Sequence, residues 1–102
     1  MTPPPNTSEQ RNLFLPSAII ALGFQYISDL STVQGLSPPS HSRFCYFHHS
    51  VQGCSWRDDG VDPTNEVGMF TTDAPFLYNG DLMKIRFIER TAGARLHVSY
   101  YY

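Results

Sequence analysis

The last eight residues of the chain alternate between two kinds of side chain. The two sets fall on opposite faces of an extended segment: Leu96, Val98, Tyr100 and Tyr102 on one, and Arg95, His97, Ser99 and Tyr101 on the other. A period of two is typical of a half-buried β-strand, whereas apolar residues of a helix recur every three or four positions. The end of the chain is therefore predicted to be a strand with one face in a core.

Several shorter segments have the composition of further strands. Aromatic and β-branched residues are concentrated in short runs that end at glycine or proline: Gly23–Ser28, Arg43–His48, Cys54–Arg57, Phe76–Tyr78 and Lys84–Phe87, with breaks at Gly35–Ser40, Asn79-Gly80 and Ala92-Gly93. Ala18 to Leu22 also fits one helical turn, but helical periodicity is otherwise almost absent. This pattern predicts an all-β protein, a single small antiparallel β-sandwich or barrel, and it does not distinguish the two.

The length and the first dozen residues define the domain organisation. A chain of 102 residues forms one domain with a single modest core. Residues 1–12 are polar and proline-rich, and they bury too little apolar surface to offset their ordering entropy. The sequence predicts an extended N-terminal arm over residues 1–12, followed by the β-domain over residues 13–102.

The charge balance argues against two classes of partner. Seven basic and nine acidic residues provide no basic stripe for nucleic acid and no reason to invoke an anionic membrane. The longest apolar run, Ala18 to Phe24, is far shorter than the roughly 20 residues that cross a bilayer. The residues before it lack the positive charge of a secretion signal, so the protein is expected to function without export. Charged residues make up 16% and aromatics 14% of the chain, which favours a surface for a protein partner.

Two cysteines leave a question of pairing. If His49-Ser50 formed the two-residue turn of a hairpin, Cys45 would lie opposite Cys54, whereas a turn at Val51-Gln52 would separate them. Disulfides are rare in reducing cytosol, so two buried thiols are favoured over a bridge. A zinc site is not expected, because adjacent His48 and His49 point to opposite faces of a strand.

The densest group of charges lies between Trp56 and Thr64. It is interpreted as a structural turn formed by Trp56, Arg57, Asp58, Asp59, Gly60, Asp62 and Pro63. The two adjacent aspartates can accept hydrogen bonds from amides two residues on, the glycine can take positive φ, and the proline presets its own φ. Carboxylates in one turn rarely face each other across a cleft, and no phosphate loop, nucleophile elbow or His-Glu-x-x-His motif is present. The chain is predicted not to be an enzyme and to need no cofactor.

The order of several segments resembles a known protein family. These segments are Gly23–Leu30, Trp56–Thr64 with Val67-Gly68-Met69, Tyr78–Leu82 leading into Ile85–Glu89, and Ala92–Tyr101. From roughly residue 17 to the C-terminus they are similar to small virion-associated proteins of tailed phages and prophages. In size and β character such proteins look like capsid cement or decoration proteins. The resemblance implies the major capsid protein and copies of the chain itself, in an arrangement such as a trimer, as partners. It also implies synthesis in the host cytoplasm and a final location on the outer capsid surface.

Two ends of the chain are candidates for partner contact. Three consecutive tyrosines cannot all face inward from a strand, so at least one ring faces solvent or another subunit. The arm is expected to lie on a neighbouring subunit. The predicted contact residues are Pro3, Pro4, Pro5, Leu13, Phe14, Tyr100, Tyr101 and Tyr102.

Two other functions stay open. One is an adaptor in the phage neck or tail, where small β-domains also serve. The other is a carbohydrate-binding module that stacks sugars on Trp56 or on exposed tyrosines beside Asp58 and Asp59. A buried Trp56 would remove the best platform for the second.

Overall fold

The structure, a computed structural model, describes residues 19–102 as eight β-strands and no helix. The strands are β1 (Ala21–Ile27), β2 (Gln34–Gly35), β3 (Phe44–Ser50), β4 (Cys54–Arg57), β5 (Met69–Phe70), β6 (Phe76–Tyr78), β7 (Arg86–Glu89) and β8 (Arg95–Tyr101). They form two four-stranded sheets, with the orders β1-β8-β3-β6 and β2-β7-β4-β5. The prediction of a small antiparallel all-β domain is confirmed, and the two separate sheets identify it as a sandwich.

Four of the six strand pairs follow one rule, and the other two, β3 with β8 and β4 with β7, join these pairs into sheets. β1 pairs with β8, β2 with β7, β3 with β6 and β4 with β5, all antiparallel. The same order results when a long antiparallel hairpin is rolled up, with β1 to β4 in one arm and β5 to β8 in the other. Successive strand pairs then fall in alternate sheets. This is the eight-stranded jelly-roll arrangement. Its consequence here is that the first and last strands of the described chain lie side by side in one sheet.

The alternation in β8 identifies which of its side chains face the core. Leu96, Val98 and Tyr100 are buried, as their period of two predicts. β8 ends at Tyr101, and Tyr102, which the pattern placed on the inward face, is 45% exposed. Its side chain lies past the last residue of the strand, and the ring meets Arg43 and His41 instead of the core cluster.

Phe47 lies at the centre of the core, where the two sheets meet. Its ring centroid lies 5.1 Å from that of Phe87 and 5.7 Å from that of Trp56, both in the second sheet, in edge-on arrangements. The ring centroid of Tyr78, in β6 of the first sheet, lies 6.1 Å from that of Phe47. Edge-to-face contacts of this kind stabilise aromatic clusters beyond the effect of area burial alone. The core thus has an aromatic centre, and Leu30, Ile85, Leu96 and Val98 are among the aliphatic residues that pack with it.

The segment between the two cysteines forms neither of the two hairpin turns that the sequence left open. β3 and β4 belong to different sheets, so the segment between them crosses the sandwich instead of turning back beside β3. Cys45 lies opposite Tyr78 and Tyr100, and Cys54 opposite Glu89. Both cysteines are buried and free, which confirms the favoured alternative of two buried thiols.

Both thiols are expected to be unreactive in the folded protein. Burial raises the pKa of Cys45 to about 12 and that of Cys54 to about 11, and only the thiolate is an effective nucleophile. Titration with a thiol reagent at pH 8 should detect no fast-reacting thiol before unfolding and two per chain in denaturant. Fewer than two in denaturant without reductant would contradict free thiols.

The charged block after β4 forms a surface turn. The Arg57 guanidinium donates two hydrogen bonds to the Asp59 carboxylate, one of them from Nε to Oδ1 at 3.1 Å. This bidentate contact lowers the pKa of Asp59 to about 2. Asp59 also accepts a hydrogen bond from the Val61 amide, and Gly60 has φ of 87°. Asp58 differs from the expectation, because it accepts a hydrogen bond from the Tyr78 hydroxyl at 2.7 Å and so connects the turn to the other sheet. Pro63 is buried and Asp62 is exposed.

Candidate functional site

The side of the first sheet that faces away from the core carries most of the exposed aromatic residues of its four strands. We call this surface the outer face. It consists of Phe24 and Tyr26 of β1, Phe44, Tyr46 and His48 of β3, Leu77 of β6, and Arg95, His97, Ser99 and Tyr101 of β8. None of these four strands contains an aspartate or a glutamate, and Arg95 is their only fixed charge.

Aromatic rings at one end of the outer face are held by cross-strand pairing. Phe44 lies directly opposite Tyr101, and their rings stack at 5.4 Å with an interplanar angle of 15°. Tyr46 meets Tyr101 edge-on at 5.7 Å. Such pairs stabilise the sheet and fix the rings without covering them. The result is a preformed aromatic surface, of which the Phe24 ring is the most exposed part, at 64%.

Two histidines occupy the middle of the same face. His48 and His97 lie directly opposite each other, and their rings stack with centroids 4.9 Å apart and an interplanar angle of 10°. The Nε2 atom of His97 is 2.8 Å from the Ser50 hydroxyl, and the Tyr26 ring lies 5.0 Å from the imidazole. Burial, and to a smaller extent His48, lowers the pKa of His97 below its ordinary value. A lower pKa favours the neutral form of this imidazole.

A shallow depression of about 340 Å³ lies among these residues. Its lining consists of Phe24, Tyr46, His48, Pro75, His97, Ser99 and Tyr101. The Ser99 hydroxyl donates to the Tyr101 hydroxyl at 3.1 Å, so it is paired within the face. Rings, imidazoles and hydroxyls in an open hollow provide apolar contact and hydrogen bonds. The arrangement can therefore contact a bound molecule through its rings and form hydrogen bonds with it through the imidazoles.

A second depression lies beside the charged turn and has a different character. It measures about 270 Å³ and is lined by Arg57, Asp58, Asp59, Val67, Gly68 and Met69. Trp56 is only 9% exposed and packs in the core against Phe47. The idea that Trp56 stacks a sugar beside the aspartates is therefore wrong, since its ring is covered by the sandwich.

The three C-terminal tyrosines have three different environments. Tyr100 is 1% exposed, and its hydroxyl donates to Gln25 in the interior, so its assignment as a partner contact is corrected. Tyr101 is half-buried on the outer face. Tyr102 is exposed beyond the strand, with the Arg43 guanidinium over its ring at 5.6 Å. The other predicted contact residues, Pro3, Pro4, Pro5, Leu13 and Phe14, lie outside the described residues, as does the arm over residues 1–12.

Residues 19–102 contain no group of three or more histidine, cysteine or acidic side chains arranged to hold a metal ion. They also contain no helix that is both long and apolar enough to span a membrane.

The sequence indicated only part of the outer face. The alternation of β8 correctly identified His97, Ser99 and Tyr101 as the side opposite the core. Phe24 and Tyr46 were not identified as candidates. The signal was present, since each sits one residue away from an inward-facing neighbour, but strand order was needed to bring them beside β8.

We compared the chain with known proteins in three ways. Protein-family models, curated proteins and solved structures all yield no match. Membership of a tailed-phage protein family is therefore still a prediction that rests on the sequence resemblance alone.

Proposed function

We propose that this chain is a structural protein of a phage virion, a cement or decoration protein that binds the major capsid shell through its outer face. The observation that carries the proposal is the character of that face, which combines exposed aromatic rings with no carboxylate on any of its four strands. The proposed location is the outer surface of the capsid, with the major capsid protein as the principal partner.

Interface physics supports this use of the outer face. The centres of protein interfaces are depleted in charged residues and enriched in tyrosine, phenylalanine and other aromatics. Rings that are already fixed by stacking lose little conformational entropy when a partner covers them. Phe44 and Tyr101 are held in this way before any partner arrives. The outer face thus has the composition and the rigidity that a permanent attachment requires.

The fold is compatible with the proposal without determining it. Jelly rolls occur in viral capsid proteins and in lectins, and one fold serves many functions. A compact β-domain that bridges neighbouring capsid subunits adds buried area to a shell under internal pressure. The role needs no catalysis, in keeping with the prediction that the chain is not an enzyme.

Copy number in purified particles tests the proposal directly. Quantitative mass spectrometry should find this chain in near-stoichiometric ratio to the major capsid protein. A ratio equivalent to a few copies per particle would instead place it in the neck or tail, as an adaptor. Absence from particles would refute a structural role.

A substitution on the outer face tests which surface attaches. Tyr46→Lys places a charge among the aromatic rings of the face, and it should weaken binding to particles that lack the protein by at least about 30-fold. Met69→Lys is the matched control, because Met69 is an exposed apolar residue of β5 in the other sheet. Equal binding of both variants, measured by co-sedimentation with particles, would exclude attachment through the outer face.

A carbohydrate-binding role is the second candidate, and one observation favours it. The Phe24 and Tyr46 rings line an open hollow together with His48, His97 and Ser99, a combination of stacking surfaces and hydrogen-bonding groups that also suits a sugar. NMR titration with a panel of neutral and acidic oligosaccharides distinguishes the two candidates. Saturable shifts confined to the hollow would support sugar binding, whereas no shifts alongside tight particle binding would support the cement role.

A further inference from the structure

We propose that β1 pairs edge to edge with β1 of a second copy of this chain, so that two first sheets join into one continuous eight-stranded sheet. The inference concerns the free edge of the first sheet, where Phe24 and Tyr26 also form the margin of the outer face, and it does not depend on the proposed attachment to a shell. It rests on the length of the strand, its lack of charge and its self-complementary pattern of aromatic residues.

The strands that form the four sheet edges of residues 19–102 differ greatly in length. Three of the edges are formed by β2, β5 and β6, which contain two, two and three residues. The fourth edge is formed by β1, which contains seven. Proteins commonly shorten edge strands because their unpaired amides and carbonyls are templates for another chain. In this fold β1 is the edge strand left long enough to pair.

β1 also lacks two other features that protect an edge, charged residues and proline. Its sequence, Ala-Leu-Gly-Phe-Gln-Tyr-Ile, contains no charged residue and no proline. One irregularity in its pairing with β8 lies between Ala21 and Gly23, and from Gly23 to Ile27 the register is regular. Five consecutive residues therefore present a straight edge, and a bulge at the start limits how far a partner strand can extend.

The side chains favour a second copy as the occupant. In an antiparallel pair centred on Gln25, Phe24 of one copy lies opposite Tyr26 of the other, and the two-fold axis generates this aromatic pair twice. Both rings are exposed on the outer face. Cross-strand aromatic pairs are among the more stabilising in sheets. Gln25 itself is kept inside by hydrogen bonds from the Tyr100 hydroxyl and the Ser37 amide, so it does not obstruct the axis.

The absence of charge has particular weight for a symmetric contact. A two-fold axis brings identical residues close together, so an ionised group near the axis would face its own copy. β1 carries none. The joined sheet would also bring two outer faces side by side, with the aromatic surface continuous across the axis.

Sedimentation velocity over a range of concentrations tests the pairing. The unmodified chain should show a concentration-dependent dimer, because one edge strand buries less than a standard interface of about 1,600 Å². Phe24→Lys should raise the dimer dissociation constant at least about 30-fold by placing like charges beside the axis. Met69→Lys is the control, since Met69 is 61% exposed and Phe24 64%, and β5 ends a different sheet edge.

Each outcome of that experiment decides the question. A monomer at all concentrations, or a dimer equally stable in both variants, overturns the proposal. Near-ultraviolet circular dichroism of each variant confirms that the aromatic core is intact. The particle-binding test uses Tyr46→Lys instead, so failure of the shell attachment and failure of the β1 pairing are separately visible.

A distance measurement tests the register. With a spin label on Ser28→Cys, the two labelled positions should lie about 20 Å apart along the joined sheet, which is six residue steps of about 3.3 Å. The unmodified chain is the labelling control, because its two cysteines are buried. A distance distribution without this separation overturns the pairing.

Discussion

Replacing Phe47 by alanine is expected to lower the free energy of unfolding by about 3–5 kcal/mol, the range observed for large aromatic residues removed from well-packed cores. The ring is fully buried and meets Trp56, Tyr78 and Phe87. These neighbours belong to strands in both sheets, so they cannot close over the cavity without bringing the sheets together. Urea denaturation monitored by Trp56 fluorescence measures the loss.

Tyr46→Ala is the matched control for this prediction. Tyr46 is the preceding residue of the same strand, and its ring lies on the outer face. Its removal should cost about 1 kcal/mol or less, since it deletes cross-strand aromatic contacts without opening a cavity. Equal losses for the two variants would mean that the sandwich core is not centred on Phe47.

Gly80→Ala is expected to be the second most damaging change, with a loss of about 2–4 kcal/mol from steric overlap and a broken hydrogen bond. A β-carbon at this position would overlap the Tyr78 hydroxyl oxygen and would lie 2.6 Å from Cζ of that ring. The ring is buried, and its hydroxyl is held by Asp58, so it cannot move aside freely. Denaturant titration of the variant measures the loss.

A double-mutant cycle isolates this cause. In a Tyr78→Leu background the ring is absent, so adding Gly80→Ala should cost much less than it does alone. Gly93→Ala is a useful comparison, because its β-carbon would meet nothing within 4 Å and only its φ of 99° opposes the change. If Gly80→Ala cost the same in both backgrounds, the clash with Tyr78 would not be its mechanism.

The strands could be predicted from the sequence largely because a half-buried strand shows its alternation within a few consecutive residues. The alternation of Leu96, Val98 and Tyr100 reflects a period that any half-buried strand must show. Cys54–Arg57 was predicted with the bounds that the structure has, since turn-forming residues flank it on both sides. What alternation cannot supply is the identity of a strand's neighbours.

The crossing from β3 to β4 shows why the pairing was missed. Two short strands joined by a few residues fit a hairpin, and the sequence contains no sign that the chain instead passes to the other sheet. The passage uses Val51 at φ of 70°, with the Gln52 amide bonded to the Ser50 carbonyl oxygen. This is a tight γ-turn that β-branched residues rarely adopt. Only the surrounding fold makes it favourable.

The candidate site was harder to predict for the same reason. His48 and His97 are distant in sequence, and their stacking depends on the register of β3 against β8. The aspartates near Trp56 drew attention because they are adjacent in sequence, yet their hydrogen bonds serve the turn and Tyr78. A surface assembled from four strands has no signature within any one of them.

The position of β8 between β1 and β3 determines when the first sheet can be completed during synthesis. Every pair that β8 forms is long-range, from Ile27 with Leu96 to Ala21 with Tyr101. Until Tyr101 has left the ribosome, β1 and β3 each lack a neighbour and the aromatic core stays open on one side. Such a topology folds late and comparatively slowly. The nascent chain is therefore most exposed to aggregation just before β8 arrives, and a chaperone that shields β1 and β3 would be most effective in that interval.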